Sequence, residues 1–211
     1  MTSKPKHIIF DLGGVILDID YNRPVEALKK KGIHIGSQIF SIQNPDPVYA
    51  LYETGQLNTD EFLSYLAAQS PQPVTHDELI VAWNSILVNL PLHRILMLRN
   101  IKNEYDTFLL SNINEMHIEA FDKMYATHFP KSTFSNELDK IYYSCRIGFR
   151  KPEPQAFKYI LQDQGINPED TLFADDSLTH IQQARLLGLQ TYHISPSTGQ
   201  SFEALCEFLV R

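Results

Sequence analysis

Asp11 closes an apolar run, Ile8-Ile9-Phe10, and the chain then turns through Leu12-Gly13-Gly14-Val15. A carboxylate carried by a buried strand into a glycine-rich turn is placed as a nucleophile, because backbone amides can crowd a phosphate there. Three later pieces carry complementary chemistry: Ser111-Asn112, Lys151-Pro152 and Asp175-Asp176. The Ser111 hydroxyl and the Asn112 backbone amide suit phosphate oxygens. Lys151 offers a point charge for a phosphoryl group, and Pro152 pushes it into an extended or turn conformation. Asp175 and Asp176 repel each other, and a hard divalent cation relieves that repulsion.

Each piece taken alone also has a structural explanation. Asp11 can serve as a turn or N-cap residue, with Gly13-Gly14 a plain tight turn. Ser111 and Asn112 can cap the helix that Glu115-Met116-His117-Ile118 suggests, and Lys151 can be a solvated surface charge. Asp176 or Ser177 can cap the helical stretch from Leu178 to Leu187, which Gly188 stops. Capping and metal binding are compatible there.

The elements that must position these residues are legible as a pattern. Strand-like runs ending in polar residues occur near residues 7–10, 107–110 and 171–174. Another covers Tyr142-Tyr143-Ser144, and a last one runs from Gln190 to Ile194. Helical patterns separate them, which argues an α/β fold with a parallel sheet. In such sheets ligands gather at the carboxyl ends of the strands, where all four pieces fall. Residues 19–88 read differently, as mostly helical. Asn22 starts a helix with Pro24 in its first turn. Asn58-Thr59-Asp60-Glu61 opens a second, and Thr75-His76-Asp77-Glu78 is a capping box before Leu79-Ile80-Trp83.

In this order the pieces resemble the haloacid dehalogenase-like superfamily, whose sequence motifs are matched across most of the chain. They read Ile-Phe-Asp11-Leu-Gly-Gly-Val, Leu-Leu-Ser111-Asn112, Arg150-Lys151-Pro152-Glu153-Pro154 and Phe-Ala-Asp175-Asp176-Ser177. The Asp-Leu-Gly-Gly-Val form is similar to the subgroup of small bacterial sugar-phosphate phosphatases, such as glucose-1-phosphate phosphatases. The resemblance implies a Rossmann-like, doubly wound parallel sheet core from residues 1–18 and 89–211. It also implies an α-helical cap, residues 19–88, inserted after the first strand, with hinges near Asp18–Asp20 and Asn89–Pro91. Candidate substrate contacts from the cap are Tyr21, Arg23, Tyr52 and Trp83, although the aromatic pair suits cap core better.

The resemblance further implies a Mg²⁺-dependent phosphatase of small phosphorylated metabolites, with sugar phosphates foremost. Asp11 attacks phosphorus, and water cleaves the resulting aspartyl-phosphate. Mg²⁺ is held by Asp11, the Gly13 carbonyl and Asp176, with Asp175 helping directly or through water. Ser111 and Asn112 grip the transferring oxygens, and Lys151 neutralises charge on nucleophile and phosphoryl group. Arg150 either reinforces the phosphate site or, as the simpler reading, sits at the surface.

Two departures stand out. Most phosphatases of this superfamily carry an acid/base Asp two residues after the nucleophile, where this chain has Gly13; that role typically contributes ~10²–10⁴-fold. Asp18 and Asp20, just downstream, are candidate replacements, and a sugar-1-phosphate offers a good leaving group. The subgroup includes active phosphatases with Gly in this slot, and Gly13 retains the carbonyl that relatives turn to the metal. The second departure is His180, where relatives often place Asn or Asp. Two rival functions follow: a metal-independent haloacid dehalogenase, which the double Asp disfavours, and a non-catalytic phosphometabolite-binding protein, which Gly13 favours.

Composition narrows the remaining classes. The 211 residues fit one domain, or one with a sizeable insertion, and 43% apolar content supports a real core. A net charge of −7 argues against nucleic acid as a partner. Lys29-Lys30-Lys31 reads as a solvated helix end. Cys145 and Cys206 have no disulfide or metal spacing, and Cys206 falls in an apolar helical pattern. No histidine pair has a zinc-ligand spacing. Met1 to Lys6 lacks a signal h-region, and no apolar stretch approaches a membrane span, so a soluble cytoplasmic protein without a membrane partner is expected.

Overall fold

A computed structural model describes residues 4–35 and 46–210. The first three residues, residues 36–45 of the expected cap and the last residue lie outside the described set. In chain order the elements begin with β1 (His7–Phe10), β2 (Asp18–Ile19), α1 (Asn22–Lys29), α2 (Pro47–Glu53), α3 (Thr59–Ala67) and α4 (His76–Asn84). Then come β3 (Leu87–Asn89), α5 (Leu92–Lys102), β4 (Asp106–Ser111), α6 (Glu115–His128), β5 (Lys140–Tyr143) and α7 (Ser144–Ile147). The chain finishes with α8 (Pro154–Gln164), β6 (Thr171–Asp175), α9 (Leu178–Leu186), β7 (Gln190–His193) and α10 (Phe202–Leu209).

Five strands form one parallel sheet in the order β5-β4-β1-β6-β7. Continuous apolar runs suit this placement, because strands covered on both faces have no solvent side to alternate toward. Ile8 and Phe10 turn to one face, where they pack with α5, α6 and α10 through Leu98, Phe121 and Leu205. Ile9, between them, turns to the other face with Phe108, Leu110 and Phe173, against Phe157 of α8 and Ile181 of α9. That alternation is the strand period of two, and it makes a doubly wound α/β sandwich. Cys206 is buried in the first of these layers, as its pattern predicts.

The helices between β2 and β3 hold a second apolar cluster built on Tyr49, Tyr52, Phe62, Leu66, Leu79 and Trp83, which Met116 of α6 joins. Capping boxes start α3 at Asn58/Glu61 and α4 at Thr75/Glu78, each with both reciprocal bonds in place. Lys31, just past the end of α1, pairs with Glu78 at 2.8 Å. The sequence reading missed a ribbon here: β2 and β3 pair antiparallel, so the two chain crossings into the helical segment run side by side. Among the described residues, no helix is long and apolar enough to cross a membrane.

Candidate active site

The loop after β1 is shaped by its glycines. Asp11 continues the sheet register by donating its N–H to the Ala174 carbonyl at 2.9 Å, and its own Oδ1 accepts the Leu12 N–H at 2.7 Å. The turn closes where Ile16 and Leu17 both donate to the Leu12 carbonyl at 2.9 Å. Gly14 has φ +73°, and a Cβ there would lie 2.2 Å from Asp176 Oδ2, so only glycine lets the loop approach that carboxylate. Gly13 is constrained differently. A Cβ would meet Ile19 Cδ1 at 2.9 Å, so Ile19 of β2 fills the space a residue-13 side chain would enter.

Ser111 ends β4 and is 3% exposed. Neither it nor Asn112 caps α6: that role falls to Asn114, whose side chain accepts the His117 N–H. The Asn112 side chain instead clamps the backbone of Lys151, donating to its carbonyl and accepting its N–H, both at 2.8 Å. Lys151, before a cis peptide to Pro152, is carried into the interior. Its side chain is completely buried, with Nζ 2.8 Å from Asp11 Oδ1 and 2.7 Å from Asp175 Oδ2. A solvated surface charge is thereby excluded. Burial alone would lower the ammonium pKa, but the charges of Asp11 and Asp175 outweigh it and hold it raised.

Asp175 is fully buried and also accepts the Ser177 N–H at 2.7 Å and lies 3.0 Å from His180 Nδ1. Burial raises its pKa, yet Lys151 and His180 together hold it well below the usual carboxylate range. Asp176 behaves in the opposite way. Burial, and then the charges of Asp11 and Asp175, push its carboxyl up to about 7. Ser177 is the N-cap of α9, which leaves Asp176 free of capping duty. The carboxylates of Asp11, Asp175 and Asp176 place oxygens within 4.8 Å of one another. An all-oxygen set of this charge, with Lys151 as its close cation, suits a hard divalent ion.

A cavity of about 310 Å³ opens over this cluster. Asp11, Gly13, Ser111, Asn112, Lys151 and Asp176 all line it, whereas Asp175 lies behind them. Asp18 and Asp20 do not line it. Asp18 pairs with Arg94 at 2.8 Å, and Asp20 accepts the Asn22 N–H at 2.9 Å, so each is engaged outside the cavity. Arg150 also departs from its surface reading: it is 7% exposed, lines the cavity and pairs with Glu53 at 2.6 Å. Tyr21 lines the cavity, while Arg23 does not. Tyr52 and Trp83 are core, as expected, with Tyr52 stacked on Phe62 and Trp83 on His117.

Glu53, Tyr49 and His117 line the cavity and were not singled out from the sequence. Glu53 had a signal: it is the last residue of α2, where a carboxylate opposes the helix dipole and asks for another partner. His117 shows its burial in its pKa, pulled down to about 4. A depressed histidine contributes stability that is present above its unfolded pKa and is lost as pH falls through the folded one. Between 6.5 and about 4 the shift corresponds to about 3 kcal/mol. Urea unfolding of His117→Gln should therefore show a smaller loss of stability from pH 7 to pH 4 than the parent protein shows.

The sequence and the fold have relatives among known proteins. A family model described as haloacid dehalogenase-like hydrolase matches residues 5–188. The chain belongs to that family. It is 29% identical over 188 residues to a D-ribitol-5-phosphate phosphatase of Bacteroides thetaiotaomicron, covering 89% of this chain and 90% of that protein. A sesquiterpene phosphatase of Aspergillus oryzae is 23% identical over 202 residues, with 94% of each chain covered. Among solved structures, an Asp-to-Ala mutant of a family enzyme of B. thetaiotaomicron in complex with magnesium and inorganic phosphate superposes with TM-score 0.82 at 32% identity, covering 90% of this chain and 94% of that one. A family hydrolase of Porphyromonas gingivalis reaches TM-score 0.84 at 26% identity over 99% of both chains.

Proposed function

We propose that this family member is a Mg²⁺-dependent phosphatase of small phosphorylated metabolites, with sugar and polyol phosphates as the leading class. The observation that carries the reading is the buried Asp11–Lys151–Asp175 chain beside Asp176, with the three carboxylates at the carboxyl ends of the adjacent parallel strands β1 and β6 and Lys151 reaching in from the loop before α8. The similar phosphatase of B. thetaiotaomicron and the relative solved with magnesium and phosphate support it. A cavity of about 310 Å³ lies at the small end of ligand pockets, which fits a small metabolite.

In this reading residues 1–18 and 89–211 are the catalytic core and 19–88 a cap, the β2–β3 ribbon being the hinge region. The apolar cluster of the helical segment supports that division. Closing the cap over the core excludes water from the phosphoryl group.

Asp11 attacks phosphorus in line. The bond from phosphorus to the ester oxygen breaks, the alcohol departs, and water then cleaves the aspartyl-phosphate to return Asp11 and phosphate. Burial raises the Asp11 carboxyl above its usual range; Lys151 works against that rise and neutralises charge on the transferring group. Ser111 donates its hydroxyl to phosphoryl oxygens, and Asn112 keeps Lys151 in place through the clamp on its backbone. Mg²⁺, held by Asp11, the Gly13 carbonyl and Asp176 with Asp175 directly or through water, supplies positive charge to the phosphoryl oxygens. With glycine at position 13 and Ile19 against it, the departing oxygen finds no carboxylic acid there and takes its proton from water.

The space filled by Ile19 also favours the second reading, a binding protein without turnover. Phosphate release with Mg²⁺, and with EDTA in its place, separates the readings. The phosphatase releases phosphate with Mg²⁺ and falls at least ~10³-fold with EDTA, the scale of lost electrostatic stabilisation. Halide release from haloacids that persists in EDTA would instead mark a dehalogenase.

A further inference from the structure

The cavity contains a charged pair that the phosphoryl chemistry leaves unused. Glu53 and Arg150 both line it, with side chains 4% and 8% exposed. Their Oε2 and Nε lie 2.6 Å apart as a close ion pair, yet among the described residues neither atom makes an aligned hydrogen bond. Tyr49 donates to the other Glu53 oxygen at 2.7 Å. A buried ion pair is weak evidence for stability, since apolar side chains of similar volume often serve as well or better. Ile19, Ile86 and Ile113 already give the cavity apolar walls. An apolar substrate would gain nothing from a carboxylate and a guanidinium among them.

The pair is also held rigidly. The Ser144 hydroxyl donates to the Glu53 carbonyl at 2.7 Å and accepts the Ile113 N–H at 2.9 Å, tying α2 to the loop after β4. Two residues on, Gly55 has φ +72°, and a Cβ there would meet the Cys145 carbonyl at 2.0 Å. Glycine is required for that close backbone contact. Arg150 in turn neighbours Lys151, whose backbone Asn112 clamps. The pair is therefore pre-organised at a fixed offset from the phosphoryl site, which is what a recognition group requires.

We propose that Glu53 and Arg150 form a hydroxyl-recognition subsite that selects polyhydroxylated alkyl monophosphates over apolar phosphates of equal length. The proposal rests on the phosphatase reading and names its substrate class. A carboxylate offers about four lone-pair sites and a guanidinium five donors, while each substrate hydroxyl is both donor and acceptor. A site built to bond a hydroxyl rejects the analogue that lacks it, because its buried polar groups are then left unpaired.

The test compares kcat/KM of the Mg²⁺-loaded protein for ribitol 5-phosphate and for pentyl phosphate, which share a chain length. The unmodified protein is expected to prefer the polyol ester by at least ~100-fold. In Glu53→Gln that preference should shrink by ~30-fold or more, chiefly through a higher KM for the polyol. A paired Glu53→Met, Arg150→Met protein strands no buried charge, and it serves if the single variant fails to fold; it should lose the preference as well. Two results would overturn the proposal. One is a folded variant in which both substrates fall together with the preference intact, the mark of a structural strut. The other is an unmodified protein that cleaves pentyl phosphate as readily as the polyol, which leaves the phosphatase reading standing. No phosphate release from either ester or from an aryl phosphate defeats that reading itself, and the subsite with it.

Discussion

Replacing Asp11 with Asn should abolish phosphate release, lowering kcat by at least ~10⁴-fold, the scale on which loss of a nucleophile acts. An amide oxygen can still accept the Leu12 N–H that Oδ1 now accepts at 2.7 Å, so the loop keeps its shape. Lys151 keeps Asp175 at 2.7 Å, so no buried charge is stranded. What disappears is the ionised oxygen that attacks phosphorus. Stability should change little, within about 1.5 kcal/mol, the size of a net hydrogen bond. Phosphate release and a urea titration on the same preparation check both halves. An inactive variant that is also unfolded would say nothing of chemistry, which is why the second measurement belongs with the first.

Lys151→Met should have the largest effect on stability. The side chain is completely buried between two carboxylates, at 2.8 Å from Asp11 and 2.7 Å from Asp175. Methionine fills similar space but leaves those carboxylates and Asp176 facing one another without the lysine, with only His180 beside Asp175. Stranding a buried charge costs about 3–5 kcal/mol, and here more than one is stranded. In metal-free buffer the urea midpoint should drop accordingly. Added Mg²⁺ should recover part of the loss, because binding to the folded state alone stabilises it by mass action. Turnover should stay negligible even with Mg²⁺, since charge on the phosphoryl group is no longer offset. A variant as stable as the parent in EDTA would mean that the carboxylates take up protons or water more easily than the geometry indicates.

What the sequence conveyed, and what it withheld, divides along physical lines. Strand ends were legible because apolar runs stop at polar residues: β1 at Asp11, β4 at Ser111 and β6 at Asp175. Sequence-local devices were legible too, such as the Thr75/Glu78 capping box. The two-residue β2 and three-residue β3 were not, being too short for a period of two to register. Arg150 looked like a surface residue because its partner, Glu53, lies far away in the chain and meets it only through the tertiary fold. Asp18 and Asp20 illustrate the converse: proximity in sequence to Asp11 did not bring them to the cavity. Ile19, between them, points toward Gly13, while Asp18 turns to Arg94. Alternation along a strand sends neighbours to opposite sides, and a single residue of register decides which side chain enters the site.

The proposed mechanism turns on the covalent step at Asp11, which a rapid acid quench can trap. The protein is mixed with Mg²⁺ and a sugar phosphate carrying a radiolabelled phosphoryl group, stopped within the first turnovers, and the denatured chain is counted. Label is expected on the protein, mapping to the peptide that contains Asp11, absent without Mg²⁺ and absent in Asp11→Asn. Release of labelled phosphate at an undiminished rate by Asp11→Asn, with no label ever on the chain, would contradict that mechanism.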